Sequence, residues 1–401
     1  MNLIYSAKPE GDHVNNSSLF LICEITGNLV FWYPGKFLYV GGLMLTKIKY
    51  ILILSISLWG SSIFGDDVIL SNYRLENPTQ SQLDKISNLY EIVSRDGTVF
   101  EIYVPANKST EFLKIAPTAK ILQKNISNFF SIQDANYFSG YRNIDEVEAT
   151  LKKLAQKYPD IVKLERYGTS TKGKPLWVLK VSDEVNKDDK EEPQIMIDAG
   201  THGDEIITVE VLLRLIEELL SGYEDNARLT QIIDRNELYF IPVVNPDGFA
   251  RRSRYASGVD PNRDFPWPEK PNRNPISCIK NLMDFADQKQ LDGSMDIHAY
   301  GRMVMYPWAY TRSRIKNKKE DRMYDRLTTA LAEDNGYKHG PISKTIYVAK
   351  GSSSDYFYWK NGTTALAIEI AGSKAPSSSK IPRVVDEMRE MTWSFIEHFQ
   401  E

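Results

Sequence analysis

In the stretch Gln194 to Glu210, QIMIDAGTHGDEIITVE, a histidine and a glutamate stand three residues apart, His202 and Glu205, just after the apolar run Ile195-Met196-Ile197. Imidazole and carboxylate are the ligand types zinc takes when one coordination position must stay open. Alone, H-x-x-E is common in helices, usually as a solvated pair. Three other stretches change that balance. ELYFIPVVNPDGF (237–249) is an apolar run ending in an Asn-Pro-Asp-Gly turn, and GSMDIHAYG (293–301) puts His298 just past a strand-like segment. TTALAIEIAG (363–372) encloses one acid, Glu369, in an apolar run. An unpartnered carboxylate there costs several kcal/mol, roughly, unless a partner or water satisfies it. The chain has five histidines, and two of them stand at strand ends, as ligands from separate segments would.

The elements that must carry these groups follow from the pattern. Short apolar runs bounded by turn residues read as buried strands, and the run after Ile206 reads as a helix. Ligands in α/β proteins lie outside the carboxyl ends of such strands, where all four stretches place their polar residues.

Composition sets the frame. Lysine plus arginine number 49 and aspartate plus glutamate 53, a net charge of −4 that gives no sign of nucleic-acid binding. At 401 residues and 42% hydrophobic, the chain suffices for one large core and a smaller domain. From Met44, MLTKIKY, ILILSISLW and GSSIFG form a basic start, a short apolar core and a small-residue exit. This is the layout of a signal peptide over 44–65, and its apolar core is too short to span ~30 Å of hydrocarbon. Translation is then expected to start at Met44, with residues 1–43 a misassigned upstream stretch or an unusual extension; the alternative is an uncleaved anchor with a tail before it. With Cys23 in that extension, Cys278 is left alone and no internal disulfide is expected. The expected location is secreted or periplasmic, with no membrane span in the mature form.

Residues 66–130 read as a unit of their own: strand VILSNYRLEN, helix TQSQLDKISNLYEIV, strand TVFEIYVPA, helix STEFLKIAP and strand AKILQKNIS. That β-α-β-α-β order suits a small open-faced α+β sandwich. The polar stretch 131–140 reads as an exposed linker. Residues 141–401 form the main domain, opened by the helix IDEVEATLKKLAQKYPDI and the strand pair KLERYG and PLWVLKVS.

With these motifs in this order, the chain resembles the zinc metallocarboxypeptidases, the family of the pancreatic and regulatory carboxypeptidases and their bacterial relatives. The resemblance implies an α/β fold, one large mixed sheet with helices on both faces, preceded by a propeptide-like α+β domain. It implies one zinc ion held by His202, Glu205 and His298. GVDPNRD (258–264) is similar to the family's G-V-D-x-N-R, so Asn262 and Arg263 are implied to grip the substrate's terminal carboxylate, and Asp260 to orient His202. Tyr347, twenty-two residues before Glu369, matches the tyrosine that closes over the bound terminus, and Glu369 matches the catalytic base. Arg251, Arg252 and Arg254 compete for the oxyanion-stabilising role; Arg254 is chosen, with Arg252 in reserve. Ser354, before Asp355, takes the place of the residue deep in the side-chain pocket, and Ala309 lies near it, so the expected pocket is neutral or apolar.

The implied activity is hydrolysis of the last peptide bond of a peptide or protein by a zymogen that an activating protease trims. Two other substrates stay open. His-Gly-Asp-Glu, with Asp204, is similar to bacterial members that trim murein peptides, and an N-acyl amino acid deacylase shares the triad but usually lacks a Tyr347-type closure and a propeptide.

Overall fold

The computed structural model describes residues 20–25, 28–33, 36–40, 70–96, 98–124 and 140–400. The chain divides into two units, 1–67 and 68–401. In the first, β1 (Phe20–Ile25), β2 (Asn28–Tyr33) and β3 (Lys36–Val40) form an antiparallel sheet in that order. The stretch read as a signal peptide (44–65) and nearly all of the linker (131–139) lie outside the described residues.

The second unit begins with β4 (Leu70–Glu76), α1 (Gln80–Leu89), β5 (Glu91–Asp96), β6 (Val99–Pro105), α2 (Ser109–Ile115) and β7 (Lys120–Gln123). Its sheet runs β5-β6-β4-β7 and is antiparallel throughout. Thr79 starts α1 through a capping box with Gln82. Here the expected element order needs correcting. The helix read through TQSQLDKISNLYEIV stops at Leu89, and the residues from Glu91 pair with β6 as a strand, giving β-α-β-β-α-β. Asp96-Gly97 is a hairpin signal, and pairing of two β-prone runs across it outweighs the helical periodicity before it.

The main sheet has eight strands. Numbered along the chain, these are β8 (Val162–Thr169), β9 (Pro175–Val181), β10 (Gln194–Ala199), β11 (Glu237–Ile241), β12 (Gly293–Ala299), β13 (Met303–Tyr306), β14 (Lys338–Pro341) and β15 (Thr364–Ile370). Their spatial order is β14-β13-β15-β12-β10-β11-β9-β8. The central four, β15, β12, β10 and β11, are parallel, so their carboxyl ends share one edge. Helices lie on both faces: α3 (Ile144–Lys157), α4 (Ile206–Ser221) and α8 (Ile381–Glu397) pack on one, α6 (Ser277–Lys289) on the other. Between α4 and α6 comes α5 (Ala227–Asp234), and between α6 and α8 comes α7 (Lys318–Ala332). Successive strand residues serve opposite cores: on β10, Ile195 and Ile197 join the first and Met196 the second. This is why the strands read as continuous apolar runs. Such burial, at ~1.5–3 kcal/mol per large apolar side chain, gives the sheet edge a rigid foundation.

Candidate active site

His202 and Glu205 occupy the turn between β10 and α4, with Glu205 in the residue that caps the helix. A carboxylate is favoured there by the helix dipole. His298 is the penultimate residue of β12, and Glu369 lies opposite it on β15. His202, Glu205 and His298 are buried, and one potential ligand atom from each lies within 4.8 Å of the others. His202 Nδ1 is 2.8 Å from Glu205 Oε1, and His298 Nδ1 is 3.2 Å from Glu205 Oε2 and 3.1 Å from His202 Nδ1.

The far sides of the two rings explain why Nδ1 faces inward. His202 Nε2 lies 3.1 Å from Asp260 Oδ1, and His298 Nε2 lies 2.9 Å from Asp296 Oδ2. The Asn262 amide also comes within 2.8 Å of His298 Nε2, but one nitrogen cannot both donate and accept. An N–H donated to a carboxylate is the stronger bond, so Nε2 keeps its proton towards Asp296. Despite burial, Asp296 and Glu205 hold the His298 imidazole well above its usual value, and a cation bound at Nδ1 would take the place of the proton shared there with Glu205. Burial opposes charge on Glu205, yet the neighbouring imidazoles hold its carboxyl well below the usual range. Two imidazole nitrogens and an ionised carboxylate are a donor set that fits zinc with a position to spare.

Two close approaches set the turn against its neighbours. A Cβ on Gly203 would fall 2.1 Å from the Gly248 carbonyl carbon, so only glycine lets the loop after β11 lie against His202. That loop delivers Arg254, whose Nη1 is 3.1 Å from His202 Nδ1 and 3.5 Å from Glu205 Oε1, with a further bond of 3.0 Å from Nε to Asp260. Of the three competing arginines only Arg254 lines the cleft; Arg251 bonds the Asp247 carbonyl instead.

The cleft measures about 820 Å³. Glu369 is part-exposed along its wall, its Oε2 accepting no hydrogen bond from the protein. Desolvation and the charge of Glu205 push its carboxyl up to about 8. Asn262 and Arg263 also line the cleft, and Arg263 Nη2 donates to the Tyr347 hydroxyl at 3.0 Å. Gly351, with φ +81°, packs so tightly on Arg263 that a Cβ would sit 2.4 Å from its carbonyl oxygen. Ser354 is brought close in sequence but not into the lining: it is buried, with its hydroxyl unpartnered, while Ser352 reaches the cleft. Ala309 is likewise fully buried, its N–H bonded to Asp355.

Three participants escaped the sequence reading. Asp296 supports His298, and its Asp-x-His spacing on a strand, which turns both side chains to one face, was the available signal. Lys374, from the loop after β15, pairs with Asp204 at 2.8 Å and reaches within 4.0 Å of Glu205. The third, Ser353, donates to Asp296 at 2.6 Å.

The carboxyl edge of the mixed sheet thus carries a His-Glu-His triad, a facing acid and two arginines; the zinc carboxypeptidase family model matches residues 147–391 of the chain, which belongs to that family. It is therefore a peptide hydrolase whose site is built for zinc. Among relatives, carboxypeptidase A1 of Mus musculus is 25% identical over 86% of this chain and 96% of its own, and human carboxypeptidase A1 is 28% identical over 62% and 68%. A zinc carboxypeptidase of Saccharothrix mutabilis subsp. capreolus is 26% identical over 55% of this chain and 59% of its own length. The crystal structure of carboxypeptidase A from Helicoverpa armigera superposes with a TM-score of 0.68 at 18% identity, covering 83% of this chain and 99% of that one. The likeness in structure is one of fold.

Proposed function

We propose that this enzyme removes the last residue from peptides and proteins that end in a free carboxylate, depends on one zinc ion, and accepts neutral or apolar terminal side chains. The observation that carries the reading is the meeting in one cleft of the His202–Glu205–His298 triad, the acid Glu369 and the guanidinium of Arg263. A zinc ion held there supplies Lewis-acid polarisation and acidifies water. Glu369 accepts the proton and passes it to the leaving amine. Arg254 faces the negative charge that develops on the scissile carbonyl oxygen, while Asn262 and Arg263 hold the terminal carboxylate under Tyr347. Met305, Ile342, Ala349 and Ala367 supply an apolar lining to the cleft.

A blocked dipeptide and its amide test this. The free acid should be hydrolysed at least ~100-fold more efficiently, because the amide forfeits charge-assisted bonds to Arg263. Chelation should abolish turnover and zinc restore it. Equal rates on acid and amide would defeat the carboxypeptidase reading. Murein fragments, which also end in carboxylates, belong in the same panel.

We further infer that the protein is exported as a zymogen with residues 66–130 as propeptide. Among the described residues no helix is long and apolar enough to cross a membrane. In support of the zymogen, Ile92 lines the cleft, its carbonyl accepts a 3.3 Å bond from the Tyr347 hydroxyl, and Tyr103 covers the Lys374 ammonium at 5.4 Å. Phe100, Ile102 and Phe112 share one apolar cluster with Met305, Ile342 and Ala349. Limited proteolysis within 131–140 should raise activity at least ~10-fold, since the cleft is otherwise shared with this segment. Unchanged activity after a verified cut and removal of the released fragment removes the zymogen claim.

A further inference from the structure

Six residues form a hydrogen-bonded chain that runs behind the ligands from one ligating histidine to the other. His202 contacts Asp260 (3.1 Å), and the same Asp260 oxygen accepts the Asn262 backbone N–H (3.0 Å). Asn262 Oδ1 accepts the Ser353 backbone N–H (2.9 Å), Ser353 Oγ donates to Asp296 Oδ2 (2.6 Å), and Asp296 returns to His298 (2.9 Å). Five members come from the ligand turn, the Gly-Val-Asp loop and β12. Ser353 alone comes from the chain that runs from Tyr347 to Asp355 along the cleft.

We propose that Ser353 is a positioning residue: through its hydroxyl it fixes Asp296, and thereby the tautomer and ring orientation of His298, while its backbone N–H turns the Asn262 amide towards the cleft. Both groups that compete for His298 Nε2 are thus held by one residue. Ser353 is 2% exposed, and Asp296 is 1% exposed, so water cannot substitute for a missing hydroxyl without entering a packed interior. With the hydroxyl removed, the Asp296 oxygen that faces His298 loses its short donor, only the longer 3.4 Å bond from the Thr201 hydroxyl to the other oxygen still orients the carboxylate, and the balance at Nε2 moves towards Asn262. A proton drawn to Nδ1 is a proton the cation must displace. The N–H of residue 353 survives a side-chain change, so the hold on Asn262 stays.

The inference rests on the triad being the zinc site, and the test separates the two. Zinc dissociation constants of the full chain are measured by competition with a chromophoric chelator for wild type, Ser353→Ala, Ser353→Cys and Ser353→Thr. Loss of a group supporting a ligating histidine weakens binding ~10-fold or more. Ser353→Ala should show this, Ser353→Thr should lie near wild type, and Ser353→Cys, a weak donor of similar size, should fall between. At saturating zinc, kcat of the alanine variant should fall while KM for a free-acid dipeptide stays within about twofold. Wild-type protein that binds no zinc overturns the triad as well as Ser353. Wild-type binding matched by Ser353→Ala, or Ser353→Thr as weak as Ser353→Ala, overturns Ser353 alone. Unfolding of Ser353→Ala without metal leaves the cysteine and threonine variants to decide by the same order.

Discussion

Glu369→Gln is expected to bind zinc as tightly as the wild type and to lose a factor of ~10²–10⁴ in kcat, the size of a general acid–base contribution. The substitution keeps the shape of the side chain and removes only its ability to take a proton. The environment of Glu369 supports this choice of residue. Its Oε2 accepts no bond from the protein, and desolvation with the charge of Glu205 favours the neutral acid up to about 8. The base must be the carboxylate, so the sign is fixed: kcat/KM falls as pH drops through the pKa of this group, by about tenfold per unit well below it. Bound zinc adds positive charge nearby and pulls that limb below about 8. In Glu369→Gln the limb should vanish from the residual activity. Zinc-loaded Glu369→Gln turning over at more than a tenth of the wild-type rate would show that the proton goes elsewhere.

The second large effect belongs to Arg254. Arg254→Gln should reduce kcat by ~10²–10³, about 2.7–4 kcal/mol, with a smaller change in KM, because the guanidinium meets its full partner only when charge develops on the carbonyl oxygen. Position argues for this more than charge does. Arg254 is 7% exposed, held at its Nε by Asp260 and aimed at the edge of His202 and Glu205. Zinc content must be measured alongside kcat, since Asp260 also supports His202. A variant with full zinc and near-normal kcat would move the oxyanion role off this residue.

The parts of this site that could be read from sequence are those in which chemistry and local structure coincide. His202, Glu205, His298 and Glu369 each sit at the end of an apolar run, and a buried parallel strand leaves such a run as its trace. The Gly258–Asp264 stretch was legible only through its likeness to the family's G-V-D-x-N-R, since Asn262 and Arg263 by themselves would read as an ordinary surface pair. Contacts made between distant segments left no local mark. Lys374 is an ordinary lysine in a loop until β15 carries it to Asp204, and Ser353 is one of three adjacent serines, indistinguishable until the fold puts one against Asp296. The start of β5 was misread because local periodicity favoured a helix over Tyr90 to Val93, while the partner that makes it a strand lies across a hairpin.

The apolar cluster common to residues 70–124 and the cleft wall has a kinetic corollary. Severing a peptide bond does not undo the burial of Phe100, Ile102 and Phe112 beside Met305 and Ile342. On the zymogen reading, the nicked fragment would stay seated until it dissociates, so activity is expected to emerge after a lag set by that off-rate, and adding the isolated fragment back should lengthen the wait.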